Sequence, residues 1–229
     1  MKSTFKIGHY TDKENITGCT VILCPPDTIA SCYISGSAPG SREIALLDPT
    51  RKINAIHALL LTGGSAFGLN AAAGVVQYLE EKGIGYKTHF GVVPIVPAAV
   101  IYDLNIGNAA IRPTAENAYK TCQEATNDLS QQGSIGAGTG ATVGKWSGVP
   151  NAMKGGLGVA SINHQDIFVH AISIVNSVGD VVDETGTIIA GALDNNGKLI
   201  AEGDLTKRWS QPEVGFSENT VLSAILTNA

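Results

Sequence analysis

The sequence predicts a layered α/β sandwich formed by one domain spanning residues 1–229. Three observations carry this expectation. Strand-like and helix-like segments alternate in the first half, and strands then predominate, which favours a layered sandwich over a doubly wound parallel sheet. Apolar residues make up 44% of the chain against 15% charged, with 27 glycines, a composition suited to a compact interior with many tight turns. No linker or long repeat divides the 229 residues, a length that commonly forms one α/β unit and buries a sizeable core.

Residues 17–24 read as a strand stopped by Pro25-Pro26, and residues 29–35 as its pairing partner, stopped by Gly36. A small-residue loop, 36–43, leads to residues 44–49, where Pro49 blocks helix continuation. Residues 55–61 form a buried-strand pattern. They feed Thr62-Gly63-Gly64-Ser65-Ala66-Phe67-Gly68 and then a helix over 69–82 that Gly83 ends. The small residues Ala71, Ala72, Ala73 and Gly74 suit close packing on a sheet. A proline-marked stretch passes into a strand over 100–104, and Thr114 caps a helix over 115–129. Strand patterns then recur at 155–160, 167–175 and 188–193, with 178–183 as a connecting piece, and Thr220 begins a last apolar strand.

The bulk chemistry excludes several classes. A net charge of -5 gives no electrostatic reason to bind nucleic acid or an anionic membrane. No apolar run approaches the roughly 20 residues that span a bilayer, and the start of the chain lacks the apolar stretch of a secretory signal. The four cysteines (Cys19, Cys24, Cys32, Cys122) form no CxxC pair and have no histidines at ligand spacing. They read as buried reduced thiols, which points to the cytoplasm and to no metal.

Local motifs are weaker than they look. Gly136-Ala137-Gly138-Thr139-Gly140-Ala141-Thr142-Val143-Gly144-Lys145-Trp146 resembles a phosphate loop, but Thr139 stands where that loop needs glycine and Trp146 where it needs Ser or Thr. A loose dinucleotide fingerprint at Gly136-x-Gly138-x-x-Ala141 has no strand before it. These glycines read better as sites of close backbone approach or positive φ. Ser65 lies between a strand and a helix, yet the glycine a nucleophile elbow needs arrives one residue late. A helix cap for Ser65 is the simpler expectation. The five histidines are scattered, and Asp180, Asp183 and Glu184 read as a solvated turn, with a role in holding a substrate amine left open.

Five stretches together carry a more specific resemblance. They are residues 36–43, Gly-Ser-Ala-Pro-Gly-Ser-Arg-Glu; 61–69, Leu-Thr-Gly-Gly-Ser-Ala-Phe-Gly-Leu; 93–104, Val-Pro-Ile-Val-Pro-Ala-Ala-Val-Ile-Tyr-Asp-Leu; 136–145; and Asn219-Thr220. In this order they resemble the family of L-aminopeptidase/D-esterases, β-peptidyl aminopeptidases and nylon-oligomer endo-hydrolases, the S58 peptidases. The resemblance implies an αββα sandwich of N-terminal-nucleophile type that cuts its own chain, here between Asn219 and Thr220. Thr220 would attack the preceding carbonyl, and hydrolysis of the ester would leave Thr220 as a new N-terminus. Its α-amine, with a reference pKa of roughly 7.7–8.0, could then serve as base to its own hydroxyl. Nucleophile and base in one residue fit the absence of a histidine motif.

By the same resemblance, Tyr102 and Asn176 match positions that hold the oxyanion. Lys145 matches a lysine near the nucleophile in the nylon-oligomer branch, where it keeps the amine uncharged or donates to the nucleophile's oxygen. Implied substrates are short peptides, β-peptides or ω-amino acid amides; no cofactor is implied, and relatives are homo-oligomers. The resemblance also implies a further segment beyond residue 229 that supplies strands and polar partners to the nucleophile. Three expectations stand open: a piece of a longer protein, a truncated and inactive product, or a second chain that completes the domain. The alternative to a self-processing amidohydrolase is therefore a silent member acting as an oligomeric binding module.

Overall fold

The computed structural model describes residues 5–200 and 219–229. Strand β1 (Lys6–Asp12) turns back as β2 (Thr17–Leu23), and β3 (Ser41–Arg42) and β4 (Ala58–Thr62) follow. Helices α1 (Ser65–Gly68) and α2 (Ala72–Glu81) lead to β5 (Tyr86–Thr88), β6 (Gly91–Val93) and β7 (Ala98–Val100). After α3 (Ala115–Glu124) come β8 (Thr142–Val143), β9 (Met153–Lys154), β10 (Gly156–His164) and β11 (Ile167–Asn176). The small β12 (Val181–Val182) and β13 (Ile188–Ala190) precede β14 (Thr220–Thr227).

Two sheets carry the fold. The first runs β1-β2-β4-β7-β3, with β4 and β7 parallel and the other pairs antiparallel. The second is the antiparallel set β10-β11-β14. Side chains alternate between the faces of a strand, and the central strands bury both. Ile22 and Leu61 face the second sheet, where they join Leu157, Ile172, Ile174, Ala224 and Leu226 in one core. Their neighbours Val21 and Leu60 face the other way, into a core with Ala71, Ala72, Val75 and Leu79 of the helical layer and Ala118 and Cys122 of α3. The result is an α/β sandwich of one helical layer on two sheets; among the described residues there is no second helical layer. No helix among them is long and apolar enough to cross a membrane.

Several expectations shift. Residues 29–35 form no strand, and Ile29 and Tyr33 are exposed. Both edges of β2 are already taken by β1 and β4, so no place beside it is left. Strand β1 holds the edge expected for residues 29–35. The strand expected over 100–104 ends regular pairing earlier, because Asp103 turns its carboxylate into the protein instead of continuing the sheet. The helix expected over 69–82 starts with α1, and the stop at Gly83 holds, with φ +69. Helix α3 begins where Thr114 predicts: its hydroxyl accepts from Asn117 N–H, in a capping box. It ends at Glu124, short of 129. Ala71 and Ala72 pack toward the first sheet, but Gly74 lies against Ala115 of α3.

Cys19, Cys24 and Cys122 are buried or half-buried free thiols whose pKa burial pushes up to about 12, so they stay protonated and inert. Cys32 departs from expectation and is exposed. His9 is the one histidine that burial strongly perturbs: its pKa falls to about 4. Thr20 Oγ1 accepts from Ala137 N–H and shares a hydrogen bond with His9 Nδ1 at 3.0 Å. The other ring nitrogen, Nε2, is buried and has no partner among the described residues. Well above pH 6.5 the ring is neutral folded or unfolded, and His9 adds no pH dependence. Below it the unfolded chain takes a proton that the folded ring refuses down to about pH 4. Stability should therefore fall across this window by up to about 3 kcal/mol, less for partial exposure. Urea titrations from pH 7 to 4 should show a shallower decline for His9→Gln than for the unaltered protein.

Candidate active site

Thr220, the first residue of β14, stands directly opposite Asn176, the last residue of β11. Directly opposed residues share a face. Leu222, Ala224 and Leu226 follow Thr220 at a spacing of two, and they belong to or pack on the core between the sheets. Thr220 thus sits on the inner face at the end of that core, half-buried, where the apolar seam gives way to polar groups. Just before it, Asn219 is held by its side-chain oxygen, which accepts from Val178 N–H at 3.1 Å.

Asn176 is fully buried. Its Oδ1 accepts from Thr142 N–H at 3.0 Å and from Lys145 Nζ at 2.9 Å, while its Nδ2 donates to the Tyr102 carbonyl at 3.0 Å. Lys145 Nζ also donates to the Asn176 backbone carbonyl at 2.9 Å. These contacts gather the ends of β7, β8 and β11 at the start of β14. Of the residues marked in the sequence, Lys145, Asn176 and Thr220 come together through side chains and strand register. Tyr102 joins them through its main chain, and its half-buried phenol makes no hydrogen bond to the others.

Behind Tyr102 lies a second buried polar group that sequence reasoning missed. Asp103 accepts from Gly64 N–H at 2.6 Å and from the Thr17 hydroxyl at 2.8 Å. Burial raises its pKa, opposed by those two bonds and by the charge of Lys154. Lys154 is pulled down by its own burial and held up by Asp103, and its amine donates to the carbonyls of Thr139 and Ala141. A side chain at Gly63 or Gly140 would run into the Asp103 carboxylate. The glycines at these two positions are the imprint of a buried acid, not of a phosphate. An aspartate inside the apolar run 98–104 was the signal available in the sequence.

Ser65 does not cap the helix as expected. Gly64, at φ +83, takes the N-cap position without a side-chain bond, and Ser65 is the first residue of α1 with φ +52. Asp180 is not in a solvated cluster: it accepts from Trp146 Nε1 at 2.8 Å and Ala192 N–H at 3.0 Å, bracing the turn that carries Lys145. Asp183 does behave as a turn residue, accepting from Thr185 and Thr187 in an exposed hairpin. Among the described residues no group of three or more His, Cys, Asp or Glu could hold a metal ion.

Thr220, the buried amide of Asn176 and Lys145 thus form a candidate site at the end of the seam between the two sheets of an α/β sandwich. The chain belongs to peptidase family S58, whose model matches residues 3–229. It is 42% identical, over 99% of its length and 66% of the other's, to an uncharacterized aminopeptidase of Mycobacterium leprae. It is 31% identical to the 6-aminohexanoate-oligomer endohydrolase of Agromyces sp., over 96% of this chain and 60% of that protein. In fold it resembles a Burkholderia sp. β-aminopeptidase, with TM-score 0.65 at 16% identity, covering 99% of this chain and 60% of that one. It also resembles the L-aminopeptidase D-Ala-esterase/amidase of Ochrobactrum anthropi, described as a variant of the Ntn-hydrolase fold, with TM-score 0.61 at 16% identity over 98% and 61%. The chain thus spans about two thirds or less of the length of these relatives.

Asp103→Ala should cost about 3 kcal/mol, since it strands the Thr17 hydroxyl and the Gly64 N–H in the interior. Gly140→Ala should cost about 1–3 kcal/mol by overpacking the same carboxylate. Denaturant unfolding of both variants checks this, and losses within error of zero would contradict the account of Asp103.

Proposed function

We propose that the protein is a self-processing amidohydrolase whose nucleophile is Thr220. The observation that carries this reading is the register that sets Thr220 opposite Asn176, whose amide Lys145 holds at 2.9 Å. In the uncut chain the Thr220 hydroxyl attacks the Asn219 carbonyl carbon. The C–N bond breaks, the acyl group moves to oxygen, and water hydrolyses the ester to leave the Asn219 carboxylate and the Thr220 α-amine. That amine then accepts the hydroxyl proton when Thr220 attacks a substrate amide. Anchoring of the Asn219 side chain by Val178 N–H supports the first step, because it restricts the residue whose carbonyl is attacked.

The oxyanion role falls to Asn176 and Tyr102 in this proposal. Asn176 spends one of its two side-chain N–H groups on the Tyr102 carbonyl, which leaves the second for the substrate. Lys145, with its amine committed to Asn176, serves by keeping positive charge beside the α-amine and so favouring its neutral form. The substrates are short peptides, β-peptides or ω-amino acid amides, by family membership and by the names of the relatives. Residues 1–229 are read as part of one catalytic domain, working as a cytoplasmic homo-oligomer without a cofactor.

Intact mass and a denaturing gel of the full-length protein test the proposal. Two fragments split after Asn219 are expected, with the split and all turnover of aminoacyl p-nitroanilides lost in Thr220→Ala. A single uncut chain after prolonged incubation would sink it.

A further inference from the structure

We propose that Arg112, seated on Phe67 beside the Gly64–Ser65 turn, anchors a substrate carboxylate. The proposal rests on the amidohydrolase reading above and names the substrate's second recognition point. The guanidinium carbon lies 4.0 Å from the centroid of the Phe67 ring. Its Nε is buried and has no partner among the described residues. The ion pair found among those residues is Lys120–Glu116, so Arg112 has no carboxylate of its own there. An unpaired guanidinium in a partly buried place is costly unless something completes it. Planar guanidinium and carboxylate match as a two-bond fork, which an ammonium cannot reproduce. Stacking on the ring fixes the plane of that fork in advance.

Location ties this cation to the site. Arg112 Cβ would come within 3.1 Å of a Cβ placed on Gly64. Gly64 N–H is bound to Asp103, and the residue before Asp103 offers its carbonyl to Asn176. Ser65, the next residue after Gly64, holds φ +52, a conformation a serine adopts at a cost of about 1–3 kcal/mol. Ser65 is half-exposed and its hydroxyl makes no hydrogen bond among the described residues, a second donor on the turn that Arg112 flanks. The chain as a whole carries -5, which repels an anion, so a carboxylate is retained only where a dedicated cation waits. Phe67, 59% exposed, supplies apolar surface for the methylenes of an amino acid chain next to that cation. The ligand this arrangement fits is the free carboxyl end of a short peptide or ω-amino acid oligomer.

The test compares trialanine with trialanine amide on the full-length protein, by kcat/KM and by calorimetric titration. The unaltered protein should favour the acid by about tenfold or more, the worth of one charge-assisted pair. Arg112→Gln should bring the acid-to-amide ratio close to one through KM, and Arg112→Lys should fall between. Equal handling of acid and amide by the unaltered protein, or a ratio unmoved by Arg112→Gln, overturns the anchor. Selective binding of the acid without turnover would retain the anchor and sink the amidohydrolase reading. If neither peptide binds, the anchor is overturned.

Discussion

A side-chain amide with no exposure to water must find its hydrogen bonds inside the protein, and Asn176 is that group here. An unsatisfied buried donor or acceptor costs about 1–3 kcal/mol, so the surrounding chain is built to meet it. Thr142 and Lys145 come from the glycine-rich loop, and Tyr102 comes from the end of β7 in the other sheet. One side chain thereby ties the two sheets together at the end where β14 begins. The buried amine of Lys145 donates to both oxygens of Asn176, which meets part of its own need for partners inside the protein. The geometry of the candidate site and the closure of the sandwich are the same set of bonds.

Asp103 repeats the arrangement one residue along from Tyr102. The Tyr102 carbonyl is committed to the Asn176 side chain, and the Asp103 carboxylate to the turn after β4. Strands β4 and β7 run parallel and adjacent, so their C-terminal ends open on the same side. That is where open α/β sheets gather ligands. The carboxylate converts this general tendency into a fixed shape: it holds Gly64, and through Gly64 the strained Ser65 and the start of α1. The glycine loop must then pass close over the acid, which explains Gly140 without any phosphate.

A nearly continuous apolar run made the central strands legible, because β2 and β4 are buried on both faces. Thr114 and Gly83 marked helix ends by local chemistry alone. The strand expected at 29–35 went wrong for a tertiary reason, since its composition suits a strand but β2 had no free edge. Thr220, Asn176 and Lys145 were legible through family resemblance and not through spacing. They are 31, 44 and 75 residues apart in the pairs Lys145–Asn176, Asn176–Thr220 and Lys145–Thr220, and only sheet register brings them together. Asp103, Lys154 and Arg112 were not legible, because each acts through contacts that no local pattern encodes.

The histidines complete the argument about chemistry. His9 is committed to Thr20 and held neutral, His57 Nδ1 accepts from Ile95 N–H at 3.0 Å, and His170 pairs with Ser161 on the exposed second sheet. These three have structural partners away from Thr220. A threonine at the end of an inter-sheet seam needs a base within hydrogen-bond reach, and the proposed α-amine is attached to it. Self-cleavage would then create the base and expose the nucleophile in a single event. A site organised in this way depends less on a placed histidine than on strand register, and register is the property that the Asn176 bonds secure.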